Sequence, residues 1–246
     1  MNKGFQTIKL PSLCRTYQGV DPESISIRTL TGEEERILAE TKTSNYDRKI
    51  LEVLKNVVQG IDVSRLTVGD RLYLLVWELM NSFSDDLPII YICTNCGRKV
   101  DTVGKLSSVE VKTLPKDYTE PVKRLLSDGR PVNLRLLTAG DEIKVSDYEA
   151  SGGEDWIYRN ALSIVSDEDI LKRMELYKSL PIKDTAIIRS FQEEFKHGPD
   201  MMFKLVCPEC NEEDRIYIPF QVEFLIPTGE ELIRNFGGRT PAHASS

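Results

Sequence analysis

Two stretches of the chain share one pattern: Tyr-Ile-Cys-Thr-Asn-Cys-Gly-Arg-Lys at residues 91–99 and Leu-Val-Cys-Pro-Glu-Cys-Asn at residues 205–211. Each contains a Cys-x-x-Cys pair. The pair is followed by Gly97 or Asn211, residue types that readily adopt the left-handed backbone conformation of a tight turn. Residues typical of strands flank both pairs, so we predict that each pair lies in a turn between two strands, as in a zinc-ribbon knuckle.

The cysteines predict a metal site that is shared by the two pairs. A structural Zn²⁺ ion takes four ligands in a tetrahedron, and one Cys-x-x-Cys pair supplies only two. We therefore predict that Cys93 and Cys96 bind one Zn²⁺ together with Cys207 and Cys210. Three alternatives stay open: an iron–sulfur cluster, a redox-active dithiol of the thioredoxin type, and buried reduced thiols without metal. Cys14 has no cysteine near it in the sequence and is predicted to be an ordinary thiol.

The same order of elements precedes both cysteine pairs. Residues 25–30 alternate apolar and polar side chains like a strand and lead into the helix-capping sequence of residues 31–34. A similar strand at residues 132–137 leads into the similar sequence of residues 138–141. We therefore predict an α+β fold of two pseudo-repeated halves, each running strand, helices, strand and cysteine knuckle, joined by the shared zinc-ribbon-like site.

Periodic apolar residues and capping signals predict the remaining elements. Helices are expected to begin near residues 44 and 67 and to cover 154–164, 168–178 and 182–196, with strands at 89–92, 99–103, 107–114 and 202–206. The predicted parts of the chain are an amino-terminal arm (1–24), a first half with Cys93 and Cys96 (25–114), a connector (115–131), a second half with Cys207 and Cys210 (132–227) and a carboxyl-terminal tail (228–246).

The arm carries apolar side chains among polar ones, at Phe5, Ile8, Leu10 and Leu13. A segment of this kind can add a strand to a partner's sheet, so we expect the arm to dock on a neighbouring protein. The tail is expected to be held in a similar way.

Composition excludes several classes of protein. The chain has 246 residues, with 32 Lys and Arg against 39 Asp and Glu, for a net charge of −7. This charge disfavours a general nucleic-acid binder. Apolar residues make up 40% of the chain, yet no apolar run approaches the roughly 18 residues of a membrane span. We expect a soluble protein made in a reducing cytosol, without a membrane partner.

Catalytic motifs are missing from the sequence. It contains no phosphate-binding P-loop, no G-x-S-x-G elbow and no H-E-x-x-H pair. One of its two histidines, His197, follows a predicted helix, where a positive imidazole would favour the helix dipole. The acidic run at residues 33–35 fits the first turn of a helix equally well. We therefore expect no enzymatic activity and no small-molecule substrate.

Six segments, taken in this order, resemble one known family. They are IRTLTGEEE at residues 27–35, LTVGDRLYLL at 66–75, CTNCG at 93–97, HGPD at 197–200, CPEC at 207–210 and IPFQVEFLIP at 218–227. The sequence resembles the T-even-type bacteriophage baseplate protein family over roughly residues 25–227.

The resemblance implies a structural or assembly protein of the hub or inner baseplate of a contractile phage tail. Such a protein would be assembled in the host cytoplasm, would reside in the virion tail and would contact other tail or baseplate proteins. The residues alone leave two alternatives open, a zinc-ribbon adaptor in a nucleic-acid complex and a dithiol oxidoreductase.

Overall fold

The computed structural model describes residues 4–225, which contain seven α-helices and eleven short strands. The helices are α1 Gly32–Ala39, α2 Tyr46–Val57, α3 Val68–Ser82, α4 Ala139–Ala150, α5 Asp155–Ser163, α6 Ile170–Ser179 and α7 Ile182–Glu194. The strands are β1 Gln6–Thr7, β2 Ser26–Ile27, β3 Val58–Gln59, β4 Asp86–Ile92, β5 Lys99–Lys105, β6 Val111–Lys112, β7 Val122–Leu125, β8 Pro131–Leu134, β9 Gly198–Pro199, β10 Met202–Val206 and β11 Glu213–Tyr217.

The helix predictions are confirmed, and three strand predictions need correction. Helices α5, α6 and α7 end within two residues of their predicted bounds. The prediction of one strand over 107–114 is wrong, because residues 106–108 form a turn of 3-10 helix and only Val111–Lys112 pair with another strand. The strand expected at 25–30 is shortened to Ser26–Ile27, because the chain turns there toward the capping box of α1. The strand expected at 132–137 ends at Leu134.

The strands form small antiparallel sheets. One sheet has three strands in the order β1-β2-β3, and the others pair β4 with β5, β6 with β9, β7 with β8, and β10 with β11. The β6–β9 pair joins the two halves, since Val111 lies opposite Pro199. The described chain is therefore a mixed helix and strand fold, as predicted.

The arm packs on its own chain. Strand β1 pairs with β2, and Ile8 and Leu10 are buried in the core of the first half. Phe5 and Leu13 remain exposed. Strand β1 therefore belongs to the chain's own sheet, as its edge strand, and two of the arm's apolar side chains belong to the chain's own core. Docking of the arm on a neighbouring protein stays a prediction. The tail at 228–246 lies outside the described residues.

Two apolar cores and a small third cluster of Leu137, Val145 and Leu162 organise the described chain. The larger core contains helices α1 to α3 and the β4–β5 hairpin, and it also takes Phe203 and Leu205 from the second half. The smaller core lies among β8, α5, α6 and α7. The β10–β11 hairpin thus packs away from its own half, which brings the second cysteine pair toward the first.

The two halves are also in contact at the start of α3. A Cβ atom on Gly69 would lie 2.3 Å from the His197 carbonyl oxygen, so only glycine fits there. The His197 ring is buried, with Nε2 2.6 Å from Thr67 Oγ1 and Nδ1 3.0 Å from the Phe195 carbonyl oxygen. His197 does contact the end of α7, as predicted, and it also connects that end to the first half.

Candidate metal centre

Each cysteine pair lies in a loop that closes a β-hairpin. The first knuckle, residues 93–98, connects β4 to β5, and the second knuckle, residues 207–212, connects β10 to β11. The loops are closed in the same way. The Cys93 N–H donates to Arg98 O at 2.9 Å, and the Cys207 N–H donates to Glu212 O at 2.9 Å.

The turn residues behave as the sequence predicts. Gly97 has a φ of 70° and Asn211 a φ of 59°, both in the left-handed region. Their N–H groups donate to the carbonyl oxygens of Cys93 and Cys207 at 3.0 and 2.9 Å. Neither cysteine pair opens a helix, which is where the reactive cysteine of a thioredoxin-like site is found.

The four sulfur atoms converge despite their separation along the chain. All four Sγ atoms lie within 4.8 Å of one another. Cys93 Sγ lies 3.7 Å from Cys210 Sγ, and Cys96 Sγ lies 3.8 Å from Cys207 Sγ. A tetrahedral zinc ion with bonds of about 2.3 Å places its sulfur ligands roughly 3.8 Å apart. The cluster therefore has the dimensions of a single-ion site, and the predicted convergence is confirmed.

Backbone N–H groups point at the sulfur atoms and favour thiolates. The backbone N–H of Glu212 donates to the Cys210 sulfur and lowers the pKa of that thiol to about 7. The Cys96 N–H likewise lowers the pKa of Cys93, but burial and the neighbouring thiols outweigh it and raise that pKa to about 12. Four thiols this close cannot all ionise without a cation between them, so the donor set fits a divalent metal ion.

The knuckles are held together by packing and by polar contacts. A Cβ on Gly104 would lie 2.6 Å from the Phe203 ring, so the glycine lets the two hairpins stack closely. The Thr94 hydroxyl donates to Asp214 Oδ1, and Arg98 pairs with Glu209 across the knuckles. Sequence reasoning missed Asp214, since no motif marks it. Its position on the inward side of β11 would have been the only sign in the sequence that this residue is buried.

Cys14 lies outside the cluster. It is half-buried, and burial together with the charges of Asp70 and Asp21 raises its pKa to about 11. This thiol is protonated near neutral pH, as an ordinary structural thiol is.

The whole described chain can be compared with known families. The model of the T4 bacteriophage base plate protein family matches residues 6–225. The chain belongs to this family. The match includes the arm, which the resemblance of residues 25–227 did not. Searches of curated proteins and of solved structures each found no match.

Membership in the T4 base plate protein family has direct consequences. It indicates a structural protein of the phage baseplate, located in the virion tail and in contact with other tail proteins. Within residues 4–225, no helix combines the length and the apolar character that a membrane crossing requires.

Proposed function

We propose that the protein is a structural or assembly component of the hub or inner baseplate of a contractile phage tail, that it is assembled in the host cytoplasm and that it acts through protein–protein contacts. The family match over residues 6–225 carries this proposal. The cysteine cluster supports it, because a metal ion bound by Cys93, Cys96, Cys207 and Cys210 would link two distant parts of the same chain, which is a structural role.

The cavity at the junction of the halves supports a role without catalysis. It has a volume of about 300 Å³ and is lined in part by Thr67, Glu142, Arg159 and His197. These polar groups are paired with one another: Arg159 donates to both Glu142 oxygens at 2.5 and 2.9 Å, and His197 contacts Thr67. Side chains that satisfy one another stabilise the junction and leave little for a substrate.

We also propose that Cys93, Cys96, Cys207 and Cys210 bind one structural Zn²⁺. Bound zinc supplies four metal–thiolate bonds and no redox chemistry. Because the ligands come from both halves, the ion fixes how the β4–β5 and β10–β11 hairpins stack.

The functional proposal is tested in the phage that encodes the protein. We expect lysates of a phage lacking this gene to contain few complete baseplates by electron microscopy, and a plasmid copy to restore them. A tagged copy assayed in purified particles separates a permanent virion component from an assembly factor. Normal yields of infectious particles without the protein would contradict the proposal.

We further propose that the halves are two copies of one unit, at residues 25–114 and 132–227, with 115–131 as connector. Equivalent ion pairs support this. Arg28 donates to both Glu34 oxygens at 2.9 and 3.1 Å, and Arg135 donates to Asp141 at 2.6 Å. Each carboxylate also closes the capping box of the helix that contains it.

Backbone contacts at corresponding places support the same proposal. The Ser12 N–H donates to Asp70 Oδ1 at 2.8 Å, and the Ser127 N–H donates to Asp184 Oδ1 at 2.8 Å. Both aspartates lie at the same distance before the first cysteine of their pair. A short strand also pairs with the start of each unit, β1 with β2 and β7 with β8.

One equivalent pair differs in chemistry. The Gln192 side chain accepts from the Leu137 N–H at 3.2 Å and donates to Arg135 O at 3.0 Å. The corresponding residue is Glu78, which is fully buried and has one carboxyl oxygen without a partner among the described residues. Burial raises the pKa of Glu78 to about 8, although a hydrogen bond from Ser82 partly opposes this. Glu78 is therefore a neutral acid at pH 7 in the place where the second unit has an amide.

We expect Glu78→Gln to remove a pH dependence of stability. Because the pKa of Glu78 is raised on folding, its stabilising protonation is fully present below about pH 4.5 and is lost as the pH rises to about 8. The free energy of unfolding should fall by up to about 1.4 kcal/mol per pH unit in this window in the wild type. Urea unfolding from pH 5 to 9 measures this slope, which should flatten in the variant. Gln192→Glu should steepen it, and an unchanged slope in Glu78→Gln would contradict the assignment.

A further inference from the structure

Both metal-site hairpins present apolar side chains to solvent. The first outer face consists of the three cross-strand pairs of β4 and β5 nearest the knuckle: Pro88 with Val103, Ile90 with Asp101, and Ile92 with Lys99. A fourth pair on the same side, Asp86 with Lys105, lies farther from the knuckle and forms a salt bridge. The second outer face consists of three cross-strand pairs of β10 and β11: Met202 with Tyr217, Lys204 with Arg215, and Val206 with Glu213. Among the described residues these faces are largely open to solvent, since Ile92 is 69% exposed and Val206 58% exposed; the Lys196 ammonium lies over the Tyr217 ring, 5.9 Å from its centroid.

The two faces match position by position. Counted from the knuckles, Ile92 corresponds to Val206, Pro88 to Met202, and Val103 to Tyr217. Apolar residues thus recur at three outward positions of both hairpins. A scattered exposed apolar residue needs no explanation, but the same pattern on two faces indicates contact surfaces.

Charges distinguish the two faces. The first face carries Lys99 and Asp101 where the second carries Glu213 and Arg215, so both signs are reversed. The ion pairs on these hairpins join Arg98 with Glu209 and Lys105 with Asp86. They leave the five outward charges, which are Lys99, Asp101, Lys204, Glu213 and Arg215, without a salt-bridge partner among residues 4–225.

Stacking geometry shows which faces fit each other. When the three pairs nearest the knuckle of each hairpin stack face to face, their middle pairs meet whichever way the strands run. The middle pair of the first face contains Asp101, and that of the second contains Lys204 and Arg215. Asp101 therefore meets a cation in both directions. Two second faces would instead bring cations together, which is unfavourable.

We propose that the first outer face of one copy of this protein binds the second outer face of another copy. The contact is heterologous, so each bound pair keeps one free face of each kind and more copies can add to form a ring or a chain. This inference deepens the proposed structural role. It is tested on the purified chain, so its outcome is separate from that of the phage experiment.

The size of the faces determines the expected strength of the contact. Three rows of two residues cover roughly 20 by 10 Å, from the usual strand spacings. This is well below the ~800 Å² per partner of stable complexes. Association should therefore be weak and should depend on protein concentration.

Charge reversal and its rescue test the proposal. Sedimentation equilibrium of the full chain should show species larger than dimers in the wild type. The protein concentration is varied from about 10 µM to about 1 mM, the range in which weak contacts form. Asp101→Arg should lower the association constant at least about tenfold. The triple variant Asp101→Arg, Lys204→Glu, Arg215→Glu reverses the middle charges of both faces and should restore association.

Matched variants distinguish this contact from nonspecific association. Ile92→Glu should abolish association, whereas Ile182→Glu, at an exposed isoleucine at the start of α7, should leave it unchanged. Thermal unfolding and metal content should be unaffected in all variants, since the side chains point outward. The proposal would be overturned by a wild type that stays monomeric at about 1 mM, a concentration that detects even a weak contact. A triple variant without restored association would overturn it as well.

Discussion

Purified Cys93→Ser protein is expected to contain no bound zinc, and the wild type is expected to contain one zinc ion per chain. The serine removes one of four sulfur ligands that lie within 4.8 Å of one another. Structural zinc contributes on the order of 10 kcal/mol in small peptides. The hairpins here also pack through Gly104 and Phe203, so the expected loss is smaller, about 3 kcal/mol. This corresponds to a Tm lower by roughly 6–12 °C for a chain of this size.

Elemental analysis and thermal unfolding, each with and without a chelator, measure the two effects. Cys14→Ser is the matched control, because Cys14 lies outside the cluster and should affect neither metal content nor Tm appreciably. A chelator should lower the Tm of the wild type and of the control but not that of Cys93→Ser. A Cys93→Ser protein that retains a full equivalent of zinc would refute the four-cysteine assignment. Iron in place of zinc would refute the identity of the ion alone.

Gly69→Ala is expected to destabilise the junction of the halves by about 3 kcal/mol, at the upper end of overpacking effects. The added Cβ would lie 2.3 Å from the carbonyl oxygen of His197 and 2.9 Å from its carbonyl carbon. These are backbone atoms, so no side-chain rotation relieves the clash. Either α3 or the segment before β9 must move, and the 2.6 Å contact between Thr67 and His197 is then lost.

Gly32→Ala is the control for this substitution. Gly32 is the first residue of α1, and no atom lies within 4 Å of an added Cβ. Alanine also favours a helix over glycine by up to about 1 kcal/mol, so this variant should be neutral or slightly more stable. Urea unfolding of both variants measures the difference. Equal stabilities would show that the backbones at Gly69 and His197 are not in contact.

Local features were predictable from the sequence because a few neighbouring residues determine them. The capping boxes at Thr31 and Thr138, the apolar spacing of α3 and the turn residues Gly97 and Asn211 are all present as predicted. The metal site was also predictable in part. The ligand number of zinc required the two cysteine pairs to meet, although nothing local indicated how.

Contacts between distant segments were not predictable in this way. The sequence shows that Ile8 and Leu10 are apolar residues among polar ones. It does not show that they pack in the core of their own chain. The buried Asp214 beside the second knuckle and the contact of His197 with Thr67 carry no sequence signal, since each depends on a partner far away in the chain.

The sequence by itself determined the family, the helices, the two knuckles and the four cysteines that converge. Only the tertiary structure decided that the β10–β11 hairpin packs in the core of the first half, that the arm completes its own sheet and that two matching faces stay exposed. The physical reason is that an apolar pattern shows which side of a strand must leave water, whereas the surface that covers it depends on the packing of the whole chain.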